Sequence, residues 1–177
     1  LKGGTNAQLR FGPWGSKLGD TQPQCARNST FRLSDISEYA GTITVAAKSA
    51  FTNFPGDVAN YGTRLWLDTG TTTSPAKLNI LRGGSLKLAN RSDVVTVKEL
   101  SLASGSRLWF DHSDIADGKT WRVRATDALT VEKGEEKVEV LWKAIVRGTT
   151  HFRPPILSGP ADSTFPAGGF TVSLFAP

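Results

Sequence analysis

The sequence has no methionine, one cysteine and two histidines. Cys25 alone cannot close an internal disulfide, and no Cys/His cluster offers zinc-ligand spacing. It reads as a buried or incidental thiol, or as a link to another chain. No apolar stretch approaches the ~20 residues that a helix needs to cross a bilayer. No block of basic residues occurs either. The formal net charge is +5, but it is dispersed, which argues against dedicated nucleic-acid binding. It leaves room for contact with acidic polymers such as anionic glycans or a phosphate-rich surface. A start at Leu1 without any Met reads as a processed mature chain or a piece of a longer one, with no signal peptide to interpret. Long runs of strong helix formers are missing too. In their place stand 18 Gly, 9 Pro and many Thr, Ser and Val residues, a mixture that favours short strands joined by turns. At 177 residues the chain is expected to hold one domain.

A repeat is present. Gly62-Thr63-Arg64-Leu65-Trp66-Leu67-Asp68 matches Gly105-Ser106-Arg107-Leu108-Trp109-Phe110-Asp111, and Gly84-Ser85-Leu86-Lys87-Leu88 lies midway. Steps of about 21–22 residues give the series Gly41, Gly62, Gly84, Gly105, Asp127, Gly148 and Gly169. The apolar pairs Ile43/Val45, Leu65/Leu67, Leu86/Leu88, Leu108/Phe110 and Leu129/Val131 follow the same steps. Gly or Asp marks a turn, and the alternation after it marks a half-buried strand. A second strand precedes each turn, carried by Leu78/Ile80, Leu100/Leu102 and Trp121/Val123. Val95/Val97 suggests a third with no clear partner. One coil cannot bury its own apolar face, whereas stacked coils ~4.8 Å apart share one core. The expected fold is therefore an all-β parallel β-helix, or β-solenoid, with Leu65, Leu86, Leu108 and Leu129 in one inward column.

The pattern Gly-[Ser/Thr]-x-Leu-x-Leu, with Ser85-Leu86-Lys87-Leu88-Ala89-Asn90 and Leu100-Ser101-Leu102-Ala103-Ser104-Gly105, resembles the repeats of bacterial autotransporter passengers and related surface β-helix proteins. The resemblance covers roughly Gly41 to Val131. It implies a right-handed β-helix, export, and a role at the cell surface. The family has no common catalytic residues to carry over.

Three regions follow: an N-terminal cap or arm over 1–30, the solenoid over 31–152, and a Pro/Gly-rich tether with a terminal strand over 153–177. Phe11-Gly12-Pro13-Trp14-Gly15 suits either a plug over the first coil or a mobile arm. Arg153-Pro154-Pro155 breaks regular pairing. Phe170, Val172 and Leu174 mark the apolar side of the last strand, which either packs back on its own chain or adds to a neighbour's edge. End-to-end self-association, or membership in a longer parent chain, follows from that second option.

Alternation turns Arg64, Trp66 and Asp68 outward, and likewise Arg107, Trp109 and Asp111, with Ser85, Lys87 and Ala89 between them. The rows Arg-Ser-Arg, Trp-Lys-Trp and Asp-Ala-Asp admit two main readings. One is structural: Lys87 makes cation–π contacts with both indoles, and Arg and Asp form cross-strand pairs. The other is a binding strip for a glycan or a protein, with Trp66 and Trp109 about 10 Å apart, twice the strand spacing. Asp68 and Asp111 also fit the ~5–10 Å separation of glycosidase carboxylates, but Arg64 and Arg107 beside them would keep both ionised, against the need of a general acid. No calcium cage, nucleophile elbow or phosphate loop is present, and His112 and His151 read as surface-turn residues. The sequons at Asn28 and Asn90 matter only in a eukaryotic source. The expectation is a secreted or cell-surface structural or adhesive protein, not an enzyme, with no cofactor. The alternatives are a carbohydrate-binding module and a β-helical polysaccharide lyase or hydrolase.

Overall fold

The computed structural model describes residues 1–12, 30–45, 63–88, 94–111, 123–143 and 157–175. In chain order the strands are β1 (Lys2–Gly3), β2 (Gln8–Phe11), β3 (Thr30–Leu33), β4 (Glu38–Tyr39), β5 (Thr42–Val45), β6 (Arg64–Leu67), β7 (Thr72–Thr73) and β8 (Lys77–Ile80). They continue with β9 (Ser85–Leu88), β10 (Val95–Leu102), β11 (Arg107–Asp111), β12 (Val123–Val131), β13 (Val138–Lys143), β14 (Leu157–Ser158) and β15 (Phe170–Phe175). Among the described residues the protein is all-β, without a helix, and every strand pair is parallel.

A seven-stranded sheet runs β2-β5-β8-β10-β12-β14, with β7 also beside β10, and a six-stranded sheet runs β3-β6-β9-β11-β13-β15. The chain alternates between them, and each return adds a strand next to the previous one. This is the arrangement of parallel sheets in a β-solenoid. β1 and β4 form a small third sheet. The two large sheets face each other across the core, and at their first strands the Phe11 and Phe31 rings lie 4.9 Å apart.

The core is a set of columns, because in-register parallel pairing places like beside like. In the six-stranded sheet Leu65, Leu86, Leu108 and Val140 follow one another in register, each at most 2 % exposed. In the seven-stranded sheet Ile43, Leu78, Leu100 and Leu129 do the same. Burying a Leu or Ile side chain in this way contributes about 1.5–3 kcal/mol. Ser74 joins the small sheet to the rest: its hydroxyl donates to the Ile36 carbonyl at 2.6 Å and accepts from the Ala76 N–H at 3.1 Å.

Four expectations need correction. Leu129 points inward, but in the column of Leu100 rather than that of Leu108. Asp127 is not a corner residue. It sits inside β12 at a β-bulge, where the register with β10 shifts between Val97 and Glu99. There Thr126 donates a hydrogen bond to its carboxylate at 2.8 Å and Lys98 lies 3.7 Å away. Val95 and Val97 do have partners, Val123 and Ala125 on one side and, for Val95, Thr72 on the other. Val123 therefore does not stack on Leu102, and Trp121 lies outside the described residues. Lastly, the repeat step is not constant. It holds from Leu65 to Leu86, from Leu86 to Leu108 and from Leu78 to Leu100. The paths from Phe31 to Leu65, from Ile43 to Leu78 and from Leu108 to Val140 are all markedly longer.

Of the glycine series, Gly41 opens a strand of the seven-stranded sheet, whereas Gly84, Gly105 and Gly169 precede strands of the six-stranded one. A Cβ on Gly41 would fall inside contact distance of the Ala7 carbonyl oxygen. Gly105 has φ of 75°, in the left-handed region that favours glycine. Gly62 and Gly148 lie outside the described residues. Regular pairing reaches both ends: β1 and β2 lie within 1–30 and pair with β4 and β5, and β15 pairs with β13 of its own chain.

Candidate functional site

The outer face of the six-stranded sheet carries the chemistry. Alternation turns every second residue to the outer face, and register lines those residues up across the strands. One row is Arg64, Ser85, Arg107 and Glu139. The next is Arg32, Trp66, Lys87, Trp109 and Leu141. Arg64, Trp66, Asp68, Lys87, Arg107 and Trp109 are all half-buried.

Cations and indoles alternate along the second row. The Arg32 guanidinium lies 5.2 Å from the Trp66 ring centroid, and Lys87 Nζ lies 4.6 Å from Trp66 and 5.6 Å from Trp109. Arg64, from the neighbouring row, sits 4.1 Å over Trp109. Each ring attracts the ammonium or guanidinium at its face by its quadrupole. Trp66 Nε1 is buried and has no hydrogen-bond partner among the described residues, so the indole edge is not offered outward as a donor.

Ion pairs flank the rings. Arg32 bonds Asp68, the residue that follows the adjacent strand β6. Arg107 Nε donates to Glu139 at 2.9 Å, directly across from it in register. On the seven-stranded sheet Lys77 and Glu99 repeat this arrangement at 2.7 Å. Arg82, in the corner before β9, donates from Nε to Glu136, in the turn before β13, at 2.8 Å. That hydrogen bond holds the Glu136 carboxyl below its ordinary range against the opposing effect of burial. Asp35 is lowered as well, chiefly by the Ser37 backbone N–H and then by the Ser37 hydroxyl.

Two of the three sequence-derived rows, Arg64–Ser85–Arg107 and Trp66–Lys87–Trp109, are thus brought together, with three additions. Arg32 caps the indole row, Glu139 pairs with Arg107, and Leu141 continues beyond Trp109 as a buried residue. The partner of Asp68 is Arg32. Asp111 pairs with Lys143 in the backbone register, but its side chain, and Ala89, lie outside the described residues. So do Trp14, Cys25, Asn28, Asn90, His112 and His151. Among the described residues no three His, Cys, Asp or Glu side chains cluster as metal ligands, and no helix is long and apolar enough to cross a membrane.

At the end of the stack, Phe170 is half-buried against the core. Val172, in register with Val140, is 57 % exposed. Leu174 is in register with Trp142, and both side chains lie outside the described residues. Comparison of the chain with protein-family models, curated proteins and solved structures finds no match.

Proposed function

We propose that this chain is a right-handed parallel β-solenoid of about six coils that serves as a structural or adhesive element outside the cell or on its surface, and that it is not an enzyme. The observation that carries this reading is the use of the outer face by the protein itself. Each indole of the Arg32–Trp66–Lys87–Trp109 row has a cation from a neighbouring strand against it, Trp109 has Arg64 from two strands away as well, and Asp68 and Glu139 are committed to arginines. A strip built for stacking sugars would leave its ring faces open, and a general acid needs a carboxyl not tied to a cation. The likeness of the repeats to autotransporter-type surface proteins supports export, and the net charge of +5 suits an anionic surface polymer as a contact. End-to-end association, or a place within a longer solenoid, belongs to the same proposal.

Glycan-array binding and incubation with uronic-acid polymers test it together, alongside electron microscopy of the native material. The expected result is no turnover and no saturable glycan binding, with rod-like or fibrous particles. Binding lost in both Trp66→Ala and Trp109→Ala would replace this reading with a carbohydrate-binding module. Polymer cleavage would replace it with a lyase or hydrolase.

A further inference from the structure

We propose that the solenoid consists of two cooperative units that part at one internal seam, between the coil β4-β5-β6 and the coil β7-β8-β9, with Ser74 as the clasp. The seam is set by an interruption of pairing on one face. There β1 pairs with β4, and β7 pairs with the start of β10, which pairs in turn with the start of β12. Among the described residues β4 and β7 do not pair with each other. Thr42 is in register with Lys77, so Tyr39 and Ser74, each three residues earlier, stand level across the gap. The Ser74 N–H is turned away from it and donates to the Thr96 carbonyl at 2.8 Å. Its hydroxyl reaches back instead, to the carbonyl of Ile36 at 2.6 Å and that of Tyr39 at 3.2 Å. The ladder between the two coils resumes at Lys77, whose N–H donates to the Gly41 carbonyl at 3.0 Å.

The other two faces cross the seam through short strands, Thr42–Val45 on Lys77–Ile80 and Arg64–Leu67 on Ser85–Leu88. Further along, β10 and β12 pair from Val95 to Leu102, and β11 and β13 from Arg107 to Asp111. Ion pairs follow the same division. Lys2–Glu38 and Arg32–Asp68 tie the first two coils together, while Lys77–Glu99, Arg82–Glu136 and Arg107–Glu139 tie the third coil to those after it. In a stack where each coil contacts its neighbours, stability is a sum of such interfaces, and partial opening starts at a weak one. The chain crosses this seam once, between β6 and β7. Within that crossing Gly70 has φ of 65°, and no described residue lies within 4 Å of the place a Cβ would take, so the backbone can turn there without displacing a neighbour.

Native-state hydrogen exchange of the 177-residue chain tests it, under conditions where exchange reports opening equilibria. The seam amides are Lys77, Leu81 and Ser85, which donate to Gly41, Val45 and Thr63; the reference amides are Ala103, Arg107 and Glu132, which donate to Ile80, Gly84 and Leu102. The seam amides should share one protection factor with Thr42 and Asp68, which donate within the first unit to Ala7 and Leu33, and the reference amides should exceed it by about tenfold or more. Val131→Ala, at a buried site in the second unit, should speed the reference amides roughly tenfold and leave the seam amides unchanged, because Val131 stays packed whether the seam is open or closed. Ser74→Ala should speed the seam amides by roughly tenfold, since it removes the clasp and leaves the Ala76 N–H without its acceptor. Equal acceleration of both sets in Val131→Ala overturns the inference, because the chain then opens as one unit. Protection that climbs evenly from coil to coil, with no step between Ser85 and Ala103, overturns it as well. So does a Ser74→Ala protein whose seam amides exchange as in the parent.

Discussion

Replacing Lys87 with methionine removes a charge from between two indoles while keeping an apolar stem of similar length. The ammonium lies 4.6 Å from the Trp66 centroid and 5.6 Å from that of Trp109, the second close to the ~6 Å limit of useful attraction. At a half-buried position the nearer contact contributes about 1 kcal/mol and the farther about 0.5 kcal/mol. The expected loss is therefore about 1–1.5 kcal/mol. In urea unfolding, with a slope of about 2 kcal/mol/M, the midpoint moves down by roughly 0.5–0.8 M. Because the tryptophans report the transition by fluorescence, circular dichroism should follow it in parallel. A double-mutant cycle with Trp109→Leu isolates the Lys87–Trp109 share from other effects of either change. A stability unchanged or raised in Lys87→Met, with a coupling energy near zero, would refute the view that this face is bonded to itself. It would also return the Trp66–Trp109 strip to the ligand reading.

Leu86→Ala should cost about 3–5 kcal/mol, because β6 and β11 hold the column open on both sides and limit collapse into the cavity; chemical denaturation measures it. Gly41→Ala should cost about 3 kcal/mol or prevent folding, since its Cβ meets the Ala7 carbonyl and only backbone movement relieves the clash; the same denaturation assay reads it. Glu136 has a folded pKa below its ordinary 4.5, so its contribution to stability is fully present above that value and lost as pH falls through the lower folded one. An acid titration of stability should accordingly be shallower below pH 4.5 in Glu136→Gln than in the parent.

The sequence exposes the repeat where the chain returns directly to the next strand. Leu65, Leu86 and Leu108 recur at the short step, as do Leu78 and Leu100, so their columns are legible. The same rule misplaces Leu129, because the chain takes a longer path from Leu108 to Val140 and from Leu100 to Leu129. Asp127-Ala128-Leu129-Thr130-Val131 imitates a corner followed by a strand, but the bulge at Asp127 has the same short, polar look as a turn. The pairing of Val95 is hidden because one neighbour is Thr72, which shares strand preference but not hydrophobicity. The outer rows are readable from Arg64, Trp66, Lys87, Arg107 and Trp109. Their extensions are not, since Arg32 precedes Trp66, and Glu139 follows Arg107, by more than the step of the repeat.

That unevenness of step has an entropic side. Closing a longer loop costs only (3/2)RT times the logarithm of the length ratio. Lengthening the path from that between Leu65 and Leu86 to that between Ile43 and Leu78 therefore adds about 0.5 kcal/mol. A one-residue slip along the strand, by contrast, turns a whole leucine column to solvent and loses several kcal/mol. Spacing along the chain is therefore a soft variable in this fold and lateral alignment a hard one. Segments can lengthen between strands at almost no thermodynamic cost, and selection on fold stability acts on the parity of each strand rather than on the period of the repeat.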